Sequence, residues 1–401
     1  MPFNAGSISF TRYAVVGDAP AMADEALLQK FTDNRLLESD MGLPNDIEYG
    51  WCGGRHVFDA VFDFGHNVYN DAVHVGIRID TNKVPGSIKQ AYLAMEEEAA
   101  AAGNPSGFIS KLQKKDAKDS VRRKVEDEMR EGRYRRSSMV PVLWDLTRGE
   151  LYAPGSTSVR ERLYELMERT FDLRLVPLTA GPAALRFLEK SGRRRDYEDA
   201  QPARFATGPE GEAQRPDYPW TVKGGEAKDF LGNEFLLWLW FTAEQGAGIV
   251  ETRTGETAIM FDKTLDMDCA YGTTGRDGFR GEGPTSFPES RDALRTGKVP
   301  RKAGLILQAQ GQQYTLTLGG ESLAVGGLKL PDVEEADSPR VLFEERITLL
   351  RDFSGVLDGL FEAYLKARTA GAWQTTVGQM RQWIKTGNRR GGAVSEPASV
   401  A

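Results

Sequence analysis

The sequence predicts an α+β protein built on antiparallel sheets. Three observations carry this. Ala72 to Asp80 (AVHVGIRID) alternates apolar and polar residues with the period of two that a half-buried strand requires. Ala303–Gln308, Tyr314–Leu318 and Ser322–Val325 are short strand-like runs divided by Gln310-Gly311-Gln312 and Gly319-Gly320, the pattern of a meander. Ser338-Pro339 opens a long amphipathic helix, a capping serine followed by proline at the first helical position.

The remaining elements follow in order. The first 85 residues read as mixed structure with short strands. Val84-Pro85-Gly86-Ser87 opens a helix whose apolar face is Ile88, Ala91, Tyr92 and Met95, and Gly103-Asn104-Pro105 stops it. A second helix, from about Ser106 to Glu131, has few apolar residues: Phe108, Leu112, Val121, Val125 and Met129. It buries a thin stripe and is expected to project from the body. Met139–Trp144 and Glu150–Ala153 read as a hairpin across Asp145–Gly149. Ser158 and Glu161 suit a capping box for a helix ending near Arg169. Leu173–Leu178 is a strand, Pro182–Lys190 a helix, Glu226–Gln245 a helix and Thr257–Phe261 a strand. Asp268–Ser286 reads as a glycine-rich loop, and Thr386–Ala401 as a disordered end.

These elements group into an α+β region at 1–190 with a basic helical arm at about 106–136, and a flexible insertion at 191–222. A second α+β region, 223–370, holds the meander and the long helix, and 371–401 is an extension. The two cysteines, Cys52 and Cys269, build no disulfide framework, which suits a reducing cytosol. The longest apolar run, Phe235–Phe241, has seven residues against the roughly 20 of a membrane helix. No signal-peptide pattern opens the chain, so a soluble cytoplasmic protein with no membrane partner is expected.

Catalytic motifs are sparse. GxxxxGK[ST], GxSxG and HExxH do not occur. His56, His66 and His74 with Cys52 lack the paired spacing of a zinc site. Asp262, Asp266 and Asp268 leave a metal-dependent nuclease as an alternative, interrupted by Lys263. Phe235–Phe241, with Trp238 and Trp240, leaves a protein-docking scaffold as another. No cofactor is implied.

Charge position says more than charge total. The chain carries −7 over 401 residues. Lys111 to Arg136 nevertheless holds eleven basic and six acidic residues, a local +5 that leaves −12 elsewhere. Such an arm favours phosphate contact in one place and repels it in others. The rival reading is a solvated helix with pairs such as Lys124–Glu128 and Glu126–Arg130. Arg295, Lys298, Arg301 and Lys302 form a second basic cluster.

An ordered set of segments resembles the recombination-associated protein RdgC family. It comprises Val84 to Ala91 (VPGSIKQA), the basic helix with Lys118-Asp119-Ser120, and Met139–Asp145. The set continues with the strand Leu175–Leu178 (LVPL) and Leu294–Leu305 (LRTGKVPRKAGL). The resemblance covers about 1–190 and 250–365. It implies a non-enzymatic, nucleoid-associated protein, a ring-shaped homodimer that encloses double-stranded DNA with little sequence preference. It also implies restraint of a recombinase, a further partner. Lysines and arginines of the arm, Lys111, Lys114, Lys115, Lys118, Arg122 and Arg123, would face the DNA. Lys263 resembles a family lysine linked to DNA contact, beside Thr264 where the family has glutamine. Lys298 and Lys302 look like the family's GK-V-x-K positions, with Arg301 between them. Tyr134 looks like the aromatic residue at the arm tip where two subunits meet. The segments 191–222, 268–286 and the tail after Gly371 exceed the usual family length.

Overall fold

The computed structural model describes residues 3–37, 47–105, 107–208, 211, 214–222, 228–333 and 336–386. It is mixed α+β with a large antiparallel sheet, and its described residues fall into two compact units. The first comprises residues up to 16, 150–155 and from 175 onward; the second comprises 17–149 and 156–174. The expected boundary at 190 is therefore corrected. The first strand leaves its sequence neighbours and pairs with the last strand of the C-terminal meander. Elements are numbered along the chain.

The first unit is a sheet with helices on one face. Its strands are β1 (Ile8–Val16), β6 (Glu150–Ala153), β7 (Arg174–Pro177), β8 (Ile249–Thr252), β9 (Gly255–Cys269), β10 (Asp277–Arg280), β11 (Lys298–Ala309), β12 (Gln312–Gly319) and β13 (Val325–Lys329). The order β10-β9-β11-β12-β13-β1-β6 is antiparallel throughout, with β8 beside β9 and β7 beside β1. The meander forms as expected, though its third strand lies further on, at β13 rather than Ser322–Val325. The supposed loop 268–286 contains β10, because Asp277–Arg280 pairs with Met267–Thr264.

Alternation makes one face of this sheet apolar: Ile259, Phe261, Leu265 and Met267 on β9, and Tyr314, Leu316 and Leu318 on β12, are buried. Helices α9 (Phe230–Gln245) and α11 (Pro339–Arg368) cover it. Their aromatic rings meet each other (Phe235–Phe361, 5.1 Å between centroids) and the sheet (Tyr314–Phe353, 5.4 Å). Phe235 to Leu239 and Trp240 are buried, so the apolar run is core and the docking-surface alternative falls. Gly232 lets α9 approach the turn after β12: a Cβ there would lie 1.9 Å from the Gly320 carbonyl oxygen. Ser338 caps α11 as expected, accepting from the Val341 amide.

Shorter helices complete the unit: α6 (Ala180–Lys190), α7 (Arg194–Glu198), α8 (Pro219–Val222), α10 (Pro288–Arg295) and α12 (Trp373–Thr386). They correct two expectations. The described part of 191–222 is packed against the unit: Phe205, Pro216, Tyr218 and Thr221 are buried, and Tyr271 donates to Ala206 O (2.8 Å). The extension after 371 begins as α12, which buries Trp373, Val377, Met380, Trp383 and Ile384. The expected disordered end, 387–401, lies outside the described residues.

The second unit holds α1 (Glu25–Asp33), β2 (Ile47–Cys52), α2 (Phe64–Asn67), β3 (Val68–Tyr69), β4 (Ala72–Asn82), α3 (Gly86–Ala102), α4 (Lys111–Arg130), β5 (Arg135–Asp145) and α5 (Thr157–Phe171). Helix α5 starts from Ser156, so Ser158 lies inside it rather than capping it. Strand β4 pairs with β2 on one side and β5 on the other, with β3 returning onto its start. The β4–β5 ladder runs without a break from Ala72↔Asp145 to Asn82↔Arg135. Residues 83–134 therefore leave and return at one end of a two-strand ribbon, as a helical hairpin.

Candidate nucleic-acid interface

The hairpin is built from local signals. Pro85 precedes the first turn of α3, and Gly103 ends it. Ser110 caps α4 in a reciprocal box: the Gln113 amide donates to Ser110 Oγ (3.2 Å) and the Ser110 amide to Gln113 Oε1 (2.9 Å). The helix thus begins at Lys111, five residues later than its sequence suggested. Asn104 fastens the connection, donating to Phe108 O (2.7 Å) and exchanging hydrogen bonds with Gln113.

The two helices share a narrow apolar seam. Val84, Val121, Val125 and Met129 are buried, with Ile88, Tyr92, Leu93 and Tyr134 packed against them. Ala91 and Met95, expected on the apolar face of α3, are exposed, as are Phe108 (81%) and Leu112 near the connection. The seam holds the strand-proximal half of the hairpin; toward the connection, α4 is polar.

Glu128 organises the strand-proximal end. Its carboxylate accepts from Tyr92 Oη (2.8 Å), Tyr134 Oη (2.5 Å) and Arg133 Nη1 (2.5 Å). The Tyr134 bond first, and Tyr92 and Arg133 with it, hold the Glu128 carboxyl below the usual carboxylate range. The same bond pushes the Tyr134 phenol well up. This corrects the expected position of Tyr134. It is not at the free end of the arm but at its root, tied to the last turn of α4 beside β5. It also corrects the expected ion pairs. Glu128 turns to Arg133, while Lys124 lies over the Tyr92 ring (3.9 Å).

The basic residues then fall outward. Lys111, Lys114, Lys115, Lys118, Arg122 and Arg123 are all exposed on α4. Lys111, Lys115, Lys118 and Arg122 follow a 4-3-4 spacing, which stacks them along one side of the helix over about 16 Å. Helix α4 carries eight basic and five acidic residues, whereas α3 carries one lysine and three glutamates. The charge is therefore asymmetric between the two helices. Arg122 makes long exposed pairs with Asp119 (3.5 Å) and Glu126 (3.9 Å), contacts of the kind that exchange readily for a phosphate. Exposed Lys83, Arg135 and Arg136 extend the basic surface at the root. The Arg133-Tyr134-Arg135-Arg136 run signals the two arginines in the sequence.

The other basic candidates lie in the first unit and differ among themselves. Lys263 sits on a bulge. Between Leu305↔Phe261 and Ala303↔Leu265, β9 has three residues (262–264) where β11 has one (Gly304), so alternation stays in phase. Lys263 takes φ of 54° and its side chain is largely exposed, 3.7 Å from Asp262. Gly304 permits the bulge, since a Cβ there would lie 1.9 Å from Asp262 O. Lys302 is exposed beside an open groove of about 580 Å³, which also touches Asp266, Asp277 and Glu321.

Lys298 and Arg301 are not placed for phosphate. Lys298, 11% exposed, donates to Asp277 (2.6 Å). Arg301 pairs with Glu321 and Asp268, and its guanidinium stacks over Trp220 at 4.7 Å. Both are already satisfied within the fold, and this corrects their assignment to DNA contact.

The acidic and histidine alternatives meet the same geometry. Asp266 pairs with Arg280 (2.6 Å), Asp268 with Arg276 (2.7 Å) and Asp262 with Lys263. Each carboxylate faces a cation of the chain rather than a shared metal position. In the second unit, His66 bonds Asp59 (2.6 Å) while burial pushes His74 down to about 4 and the Cys52 thiol up to about 12. Among the described residues no group of three His, Cys, Asp or Glu side chains could hold a metal ion, and no helix is long and apolar enough to cross a membrane.

Fold and surface together define an α+β protein with a basic helical hairpin. Comparison of the chain with protein-family models and with curated proteins finds no match.

Proposed function

We propose that the protein binds double-stranded DNA through the exposed basic side of α4, without reading its sequence. One observation carries this reading: six cationic side chains of a single helix all face solvent, four of them on one stripe, in a chain whose total charge is −7. Long, flexible side chains along a convex helix suit phosphates rather than base edges. Lys263 and Lys302, both exposed in the first unit, are further candidates for phosphate contact in their own right. The ordered resemblance to the RdgC family extends the proposal. The protein acts as a homodimer that encircles the duplex and restrains a recombinase filament, in the nucleoid and without catalysis.

The test is retardation of a duplex by the full chain as salt rises. With four to six phosphates contacted, affinity should fall about 10²- to 10³-fold between 50 and 200 mM salt. Changing Lys111, Lys115, Lys118 and Arg122 together to glutamate should abolish retardation while the circular dichroism spectrum stays unchanged. Salt-insensitive binding, or full binding by the variant, refutes the assignment to α4. Sedimentation on and off DNA tests the dimer. A recombinase strand-exchange assay tests the restraint.

A further inference from the structure

The free end of the helical hairpin carries a feature that phosphate contact alone does not use. Phe108 is 81% exposed, more than any other large apolar side chain among the described residues. Leu112, also exposed, stands four residues on, in the first turn of α4. The apolar seam between the helices does not reach them. Its nearest member on α4, Val121, lies about 13 Å along the axis from Leu112.

The backbone that presents Phe108 is fixed by hydrogen bonds on both sides. Gly103 ends α3, and Gly107, at φ of 68°, turns the chain just before Phe108. The Gly107 amide donates to Asn104 O (3.0 Å), and Asn104 Nδ2 donates to Phe108 O (2.7 Å). Two residues later, Ser110 and Gln113 close the reciprocal box that starts α4. An aromatic ring and a branched aliphatic side chain are thus held out from the end of the arm. Lys111, Lys114 and Lys115, all exposed, stand with them in the first turn and a half of the helix.

Apolar side chains flanked by cations at a projecting end suit one occupant best. A second copy meeting this end about a two-fold axis would bring its own Lys111, Lys114 and Lys115 against these three. A duplex instead brings phosphates to the lysines and, between its two strands, stacked bases to the apolar pair. Met95 is exposed too, but it stands beside Glu96, Glu97 and Glu98 on α3, about one to two turns behind that helix's end, where phosphates are repelled. We propose that Phe108, with Leu112, is a wedge that enters a duplex between two base pairs while Lys111, Lys114 and Lys115 hold the neighbouring phosphates. The wedge rests on the contact between α4 and DNA proposed above, and it adds a demand on the DNA: a step that unstacks readily. Duplexes carrying a mismatch, whose stacking is already weakened, are its preferred class of ligand.

Two short duplexes test it with the full chain, one fully paired and one with a central mismatch. Each carries 2-aminopurine, a base analogue that brightens when it unstacks. The wild type should retard both, bind the mismatched duplex about tenfold more tightly and raise its fluorescence. The double variant Phe108→Ala/Leu112→Ala, at two exposed positions, should keep the wild-type circular dichroism and retard the paired duplex with the wild-type salt dependence. It should lose the preference for the mismatch and the rise in fluorescence. Phe108→Trp, which keeps a planar ring, should retain the preference. The double variant should sediment off DNA with the wild-type mass. Retardation by the wild type with neither preference nor fluorescence rise overturns the wedge and leaves the α4 contact standing, whereas failure to retard either duplex refutes both. A preference unchanged in the double variant also overturns the wedge, and a lower sedimented mass in that variant overturns it by assigning the apolar pair to a second copy.

Discussion

Single side chains set the conditions under which this protein stays folded. His74 is buried in β4, near His66, Asp59 and Arg55, and burial lowers its imidazole to about 4. An unfolded histidine titrates near 6.5. Between these values the unfolded chain takes up a proton that the folded chain refuses. Stability is complete above about pH 6.5 and declines as pH falls toward 4, on the order of 3 kcal/mol over the whole window. Urea midpoints between pH 7 and 5 should therefore drop in the wild type and flatten in His74→Gln. At the root of the hairpin, Tyr134→Phe removes one donor from the Glu128 carboxylate. It should cost about 1 kcal/mol and speed amide exchange in the last turn of α4. Glu128 is held in its charged form, so this contribution is present above the ordinary carboxylate range and lost as the carboxylate protonates on acidification. The role of Tyr134 was hidden in the sequence for a simple reason. The resemblance implies a tip position, and its partner six residues back, Glu128, reads as just another acid of a charged helix. Lys298 and Arg301 were equally hard to read: their partners, Asp277 and Glu321, are 21 and 20 residues away on the chain and are brought close only by the fold.

At the scale of elements, the signals that needed no partner were the legible ones. Ser338-Pro339 marked the start of α11 to the residue, and alternation located β4. Boundaries failed where packing decided them. Strand β9 runs well past Phe261 because the bulge at Lys263 preserves its phase, which no periodicity count anticipates. The apolar run of α9 gave no direction because it is buried on nearly every side. At Gly232 its backbone lies directly against the Gly320 turn, so Gly232→Ala should push α9 off that turn and cost about 3 kcal/mol, read as a fall in the denaturant midpoint. The basic stripe of α4 was readable because exposure is the default for lysine. Its sharpening came from the cap at Ser110, which fixes where the helical count begins.

For the molecule as a whole, the charge total and the charge map make opposite predictions. A uniformly acidic body would repel DNA at all salt concentrations, most strongly at low salt. An acidic chain with one basic helix should bind at low salt and release at high salt, and the four-glutamate variant should convert the second behaviour into the first. Filter binding across a salt series distinguishes the two directly.

The pairing of β1 with β13 also has a consequence for synthesis. The ladder joins Ile8 to Leu328, so the first strand of the chain is made long before its neighbour. At elongation rates of roughly 5–20 residues per second, that interval lasts from about 15 s to about a minute. The β4–β5 ribbon and its helical hairpin are complete on the ribosome in that time. One edge of β1 stays open until β13 emerges, and during that interval a nascent chain on a neighbouring ribosome can compete for it. Slowing translation late in the message should therefore raise the yield of aggregate, and restoring its speed should recover folded protein.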